Sequence, residues 1–181
     1  MTSALAEPAM SLADFTGPAM IVPNLRGRDV TSVIQELSQA LQREGCVQDL
    51  LPFYHAALNR EFLASTDVET GIALPHARLT GVKSLAFAFG RTSEPLMWTK
   101  HAASPVRLVF LIAVPATDAT QYLLLISGLA RLAKNPVLLE KLKSAGDTFQ
   151  ILDLLREVPL RRIGATVTVA GIRPFEKSTN R

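Results

Sequence analysis

Residues 106–114, VRLVFLIAV, form a nearly continuous apolar run between Pro105 and Pro115. A run this short, rich in β-branched residues and fenced by prolines, reads as a strand. It lacks the alternation of a half-exposed strand, so it has to be covered on both faces. A chain built around such a strand needs a layer on either side of a sheet, and the rest of the pattern supplies them. Residues 20–25 read as a first strand, and residues 84–90 as another that ends at Gly90. Asp29 can cap a helix whose apolar positions Val30, Val33, Ile34, Leu37 and Leu41 recur at helical spacing, with Gly45 as its end. A second helix is expected over residues 49–60, with Pro52 tolerated in its first turn, Phe53, Ala57 and Leu58 on one face and Arg60 at its C-terminal end. Residues 91–105 read as a loop or short edge hairpin, and Trp98 within them as a core plug. After Pro115 the pattern turns helical: a stripe of Leu123, Ile126, Leu129, Ala130 and Ala133, then a short helix capped by Asn135 through Leu142, then another capped by Asp147 through Leu155. The expected fold is α/β (α+β), a three-layer sandwich with a central mixed β-sheet flanked by helices.

Three segments follow from this layout: a loosely ordered N-terminal arm over residues 1–18, one domain over residues 19–158, and a C-terminal extension over residues 159–181. The extension holds a possible short strand, ATVTVA at 165–170, and a basic tail. The chain of 181 residues is 48% hydrophobic and 19% charged, enough apolar content for one core without disulfides or metal staples. Cys46 is the sole cysteine, so no internal disulfide can form, and a reducing cytoplasm is the expected setting. No apolar run approaches the roughly 18 residues that a membrane-spanning helix requires, so no membrane insertion is expected. The net charge is +3, and Arg156, Arg161, Arg162, Arg173, Lys177 and Arg181 face only Glu157 and Glu176 near the end. Those cations are not interleaved with aromatics and carry no recognition signature, so a solvated tail rather than a nucleic-acid surface is expected.

The chemistry concentrates at residues 71–78, GIALPHAR. Pro75 cannot donate to a sheet ladder, so His76 is expected near a strand end, where α/β sheets place ligand-handling groups. A neutral imidazole is a good nucleophile near pH 7, and a phosphoryl group bound to it adds negative charge that arginine binds well. Arg60 and Arg78 are available for that charge, and the hydroxyls of Ser65, Thr66 and Thr70 lie between Arg60 and His76 in sequence. Other chemistries lack their parts. There is no Gly-x-x-x-x-Gly-Lys-Ser/Thr loop and no Gly-x-Ser-x-Gly elbow, and His55, His76 and His101 show no paired metal spacing, so no metal and no cofactor are expected.

Three segments carry a resemblance: NREFLASTDVETGIALPHAR at 59–78, PVRLVFLIAVP at 105–115 and YLLLISGLARL at 122–132. Together they resemble the enzyme IIA domain of the bacterial phosphotransferase system, in its mannitol, fructose and nitrogen-regulatory class, from about residue 20 to residue 156. Arg60, Glu61, Ser65, Thr66, Gly71 and His76 fall in register with the most specific part of that pattern. The resemblance implies that His76 is the catalytic group. It would accept a phosphoryl group from the phosphohistidine of a carrier protein and pass it to an enzyme IIB cysteine or signal its state to a regulated target, with Arg60 stabilising the transferred group. Thr66, Thr70, Arg78 and Tyr122 complete the expected phosphate-binding set. Two departures accompany it. Asp67 and Glu69 stand where many members have glycines, and Tyr122 stands where the family has a second histidine. They favour the alternative expectation, a module of the same fold that binds protein partners or small anions without becoming phosphorylated.

Overall fold

The computed structural model describes residues 10–117 and 119–161; the expected strand at 165–170 and most of the basic tail lie outside these residues. In chain order the elements are β1 (Ile21–Leu25), α1 (Val30–Arg43), α2 (Leu50–Leu63), β2 (Asp67–Val68), β3 (Ile72–Ala73), β4 (His76–Leu79), β5 (Ala86–Leu96), β6 (Val106–Pro115), α3 (Thr120–Ala133), α4 (Pro136–Ser144) and α5 (Thr148–Arg156). The sheet runs β1-β5-β6-β3-β2, with β4 also on β6, beyond β3 along the same edge. The β1–β5, β3–β6 and β4–β6 pairs are parallel, and the β5–β6 and β2–β3 pairs antiparallel. The sheet is therefore mixed, as expected.

The apolar run becomes β6 at the centre of that sheet and is buried on both faces. Leu108, Phe110, Ile112 and Val114 pack with Phe87 and Phe89 of β5 against Leu125, Leu129 and Leu132 of α3 and the apolar faces of α4 and α5. Val109, Leu111 and Ala113 join Ala86 and Ala88 of β5 against Val33, Ile34, Leu37 and Leu41 of α1 and Phe53 and Ala57 of α2. One face of the sheet is aromatic and large, the other small, which lets α1 and α2 lie close to it. The three-layer sandwich is thus the observed architecture.

Helix boundaries follow local chemistry. The Asp29 carboxylate accepts from the Ser32 N–H at 2.7 Å to start α1. Gly45, at φ +72°, ends it with Cys46 N donating to Leu41 O at 3.1 Å. Asn135 and Asp147 cap α4 and α5 through Leu138 N and Gln150 N. Helix α2 runs to Leu63 rather than stopping near Arg60.

Four expectations need correction. Residues 11–18 do not form a loose arm. Leu12–Phe15 and Pro18–Met20 are two 3-10 turns, Leu12 and Phe15 are buried, and Ser11 bridges Pro159, with Leu12 N donating to Val158 O and Leu160 N to Met10 O. Strand β5 does not end at Gly90 but continues to Leu96. The glycine is there because Leu25 of β1 folds over it: a Cβ at position 90 would lie 2.8 Å from Leu25 Cγ. The stripe of α3 is broader than the expected one and misses two of its members, Ile126, Leu129 and Ala133 packing against the core as expected. Leu123 is 59% exposed and Ala130 is exposed, while Leu125, Gly128, Leu129 and Leu132 face the core. Finally, residues 67–73, assigned no element from the sequence, form a small hairpin, β2–β3, turning at Gly71 with φ +81°.

Candidate functional site

The site grows from an interruption in one strand. Ala73 of β3 pairs with Val109 of β6, and His76 of β4 with Ile112, so chain and partner both advance three residues and the register survives. Between them Pro75 has no N–H to offer, and its carbonyl accepts from Ile112 N at 2.9 Å. His76 is therefore the first residue of β4, and β4 borders the sheet at that point. Side chains alternate along it. Ala77 packs into the α1–α2 face, while His76 and Arg78 share the side of Ile112 and Val114, towards α3.

Four of the expected residues meet there. Ala56, Arg60, His76, Ala77, Arg78, Val114 and Tyr122 line a cleft of about 420 Å³ at the sheet edge. The His76 and Tyr122 ring centroids stand 6.1 Å apart, and the Arg78 guanidinium lies 5.5 Å from the Tyr122 ring centroid, a cation–π contact that holds the cation beside the imidazole. Arg60 arrives from the last turn of α2, where its Nη1 donates to Ala64 O at 2.8 Å and closes the helix end. Among the described residues neither Arg60 nor Arg78 pairs with a carboxylate, and no acid lines the cleft. No described carboxylate cancels the positive potential of the pair at the mouth.

The imidazole has a defined polarity. His76 Nδ1 lies 3.1 Å from Leu74 O. A carbonyl oxygen only accepts, so that contact puts the ring proton on Nδ1 and leaves the Nε2 lone pair for the cleft. A half-buried histidine with a free Nε2, in a cleft that two guanidinium groups without carboxylate partners among the described residues also line, can attack an electrophilic phosphorus and hold the product's charge.

Two expected donors are elsewhere. Thr66 does not line the cleft: its N–H and hydroxyl both donate to Glu61, at 2.7 Å each. Thr70 is exposed in the β2–β3 turn, where the hairpin has carried it away from His76. The acids that departed from the family pattern are also outside the cleft. Glu69 is exposed in the same turn, and Asp67 accepts from the Ser65 hydroxyl. The sequence reading placed Glu61 in the family pattern but gave it no role: it is only 3% exposed, and its carboxylate accepts from the Thr66 N–H and hydroxyl and from the Trp98 indole N–H, each at 2.7 Å. Its spacing gave a signal, since Phe53, Ala57 and Glu61 recur every four residues and so share the buried face of α2. Among the described residues no three His, Cys, Asp or Glu side chains come together as a metal cluster would require, and no single helix is long and apolar enough to cross a membrane.

An open mixed sheet between two helical layers, with an imidazole and two arginines at its edge, defines the class as a three-layer α/β domain with an arginine-lined cleft. The match to known proteins is specific: residues 14–158 fit the family described as phosphoenolpyruvate-dependent sugar phosphotransferase system, EIIA 2, and the chain belongs to that family. The nitrogen regulatory protein of Bradyrhizobium diazoefficiens is 29% identical over 150 residues, covering 83% of this chain and 97% of that protein. The fructose-specific EIIABC component of Bacillus subtilis is 28% identical over 148 residues, 82% of this chain but 23% of that longer protein. The crystal structure of nitrogen regulatory protein IIA-Ntr from Neisseria meningitidis superposes with a TM-score of 0.69 at 26% identity, covering 80% of this chain and 98% of that one.

Proposed function

We propose that this chain is a phosphoryl carrier of the enzyme IIA type with a regulatory role. His76 Nε2 attacks the phosphorus of a phosphohistidine on a carrier protein, the P–N bond to the donor breaks as the new one forms, and the donor imidazole leaves. The phosphoryl group then passes to an acceptor, an enzyme IIB cysteine or a regulated target protein. The observation that supports this most is the free Nε2 of His76 in a cleft shared with Arg60 and Arg78, which have no carboxylate partners among the described residues. The bond exchanged is already energetic, so position and positive potential suffice as the protein's contribution. The regulatory assignment draws on the nitrogen regulatory relatives, which match over nearly their whole length.

A second reading is favoured by one observation, the phenol of Tyr122 where the family pattern has an imidazole. In that reading the cleft binds an anionic group of a partner without a covalent bond. The experiment that separates the two incubates the protein with phosphoenolpyruvate, enzyme I and the histidine-bearing carrier and measures intact mass. One acid-labile phosphoryl group, absent in His76→Ala and present in His55→Ala and His101→Ala, is the expected result. An unmodified wild-type protein beside a fully modified family member would refute phosphoryl transfer and leave the binding reading.

A further inference from the structure

We propose that Glu61 and Thr66 are positioning residues that fix the tautomer of His76. The inference starts from a hydrogen-bond chain with a defined direction. Trp98 Nε1 and Thr66 N donate to Glu61 Oε1, both at 2.7 Å, and the Thr66 hydroxyl donates to Glu61 Oε2 at 2.7 Å. That hydroxyl has one hydrogen, and with it committed to Glu61 its lone pairs are left to accept Leu74 N–H, at 3.2 Å. Leu74 N also reaches Thr66 O at 3.4 Å. On the other side of Leu74, Pro75 has its φ fixed by the ring and its carbonyl held by Ile112 N. A residue before proline is itself restricted to extended conformations. The Leu74 carbonyl is therefore clamped from both sides, and it is the acceptor for His76 Nδ1.

Glu61 is not a partner for Arg60, its neighbour in sequence. Among the described residues no cation pairs with its buried carboxylate, and burial of that charge is compensated by the neutral donors of Thr66 and Trp98. Thr66 thus serves the cleft from behind it. With Glu61 absent, the hydroxyl is free to turn its hydrogen elsewhere, Leu74 gains freedom, and the proton of the neutral ring is no longer held on Nδ1. The inference rests on the proposed phosphoryl acceptor only for its effect on transfer, because the tautomer exists in the protein before any donor arrives.

The test is long-range proton–nitrogen NMR of the unphosphorylated full chain above the imidazole pKa, with the His76 ring assigned by its loss in His76→Gln. In the wild type Nδ1 should give the protonated-nitrogen signal and Nε2 the lone-pair signal. Thr66→Val and Glu61→Gln should each lower the ratio of the two tautomers, by at most about fivefold, the limit set by losing the ring's own hydrogen bond to Leu74 O, whereas Thr66→Ser should restore the wild-type ratio. The Trp98 indole resonance, retained in Thr66→Val, reports that the core around it is intact. A wild-type ring protonated on Nε2, or an unchanged ratio in folded Thr66→Val, would overturn the assignment. If the wild-type tautomer is as stated but no phosphoryl group is ever accepted, the proposed function fails and the positioning role stands.

Discussion

Arg60 performs two tasks with one side chain, and separating them gives the sharpest test of the cleft. Its Nη1 closes α2 on Ala64 O at 2.8 Å, while its remaining N–H groups have no protein partner among the described residues and are left for the cleft. In Arg60→Ala the helix end loses one hydrogen bond from a cation that is partly exposed to water and so weakened by it, about 0.5–1 kcal/mol of stability. The transferring phosphoryl group loses a charge-assisted contact, about 1.5–3 kcal/mol, which is about 10- to 100-fold in the rate of transfer. Arg60→Lys keeps a point charge but cannot fork between Ala64 O and the cleft, so it should fall between the two. Quenched-flow transfer from the radiolabelled phosphocarrier gives the rate, and urea unfolding of the same variants gives the stability. A transfer rate in Arg60→Ala within about threefold of wild type, under ~0.7 kcal/mol, would refute the role of this guanidinium. A large rate loss matched by an equally large stability loss would do the same, since it would trace to the helix end alone.

Two further outcomes concern the scaffold. Gly90→Ala should destabilise by about 1–3 kcal/mol despite the better strand former, because the new methyl meets Leu25 Cγ at 2.8 Å and Cδ2 at 3.0 Å; urea midpoints measure it, and a cost that persists undiminished in a Leu25→Ala background would contradict the clash. Asp29→Ala should cost about 1 kcal/mol at neutral pH through loss of the α1 cap. The backbone N–H and hydroxyl of Ser32 hold the Asp29 carboxyl below its ordinary range, so this contribution is complete above the unfolded carboxyl value near 3.9 and is lost as pH falls through the lower folded value. Wild type and variant should therefore converge in acid, and a gap that widens below pH ~4 would contradict the linkage.

The parts of the fold legible in sequence are those where several local signals agree. Helix α1 has its cap, its apolar stripe and its terminal glycine all in one register, and β6 has no polar face to misplace. Helix α3 is legible only in part, at Ile126, Leu129 and Ala133, because nearly every position from Tyr122 to Leu132 is apolar or small, so more than one stripe fits a period of 3.6. Gly90 was read as a stop because a strand glycine signals either a turn or a close approach, and the approaching Leu25 belongs to another strand far away in sequence. Leu12 and Phe15 are two anchors in a stretch too short to show a period. At the cleft, His76, Arg60, Arg78 and Tyr122 came together as read. Thr66 and Thr70 did not, because sequence proximity to His76 ignores the β2–β3 hairpin that turns the chain between them.

The clasp between Ser11 and Pro159, reinforced by Leu160 N on Met10 O, has a topological meaning. The first and last described stretches of the chain run side by side at a single doorway. A body whose two described ends meet in one small area can hang as a pendant from a longer chain or be spliced into one without stretching its sheet.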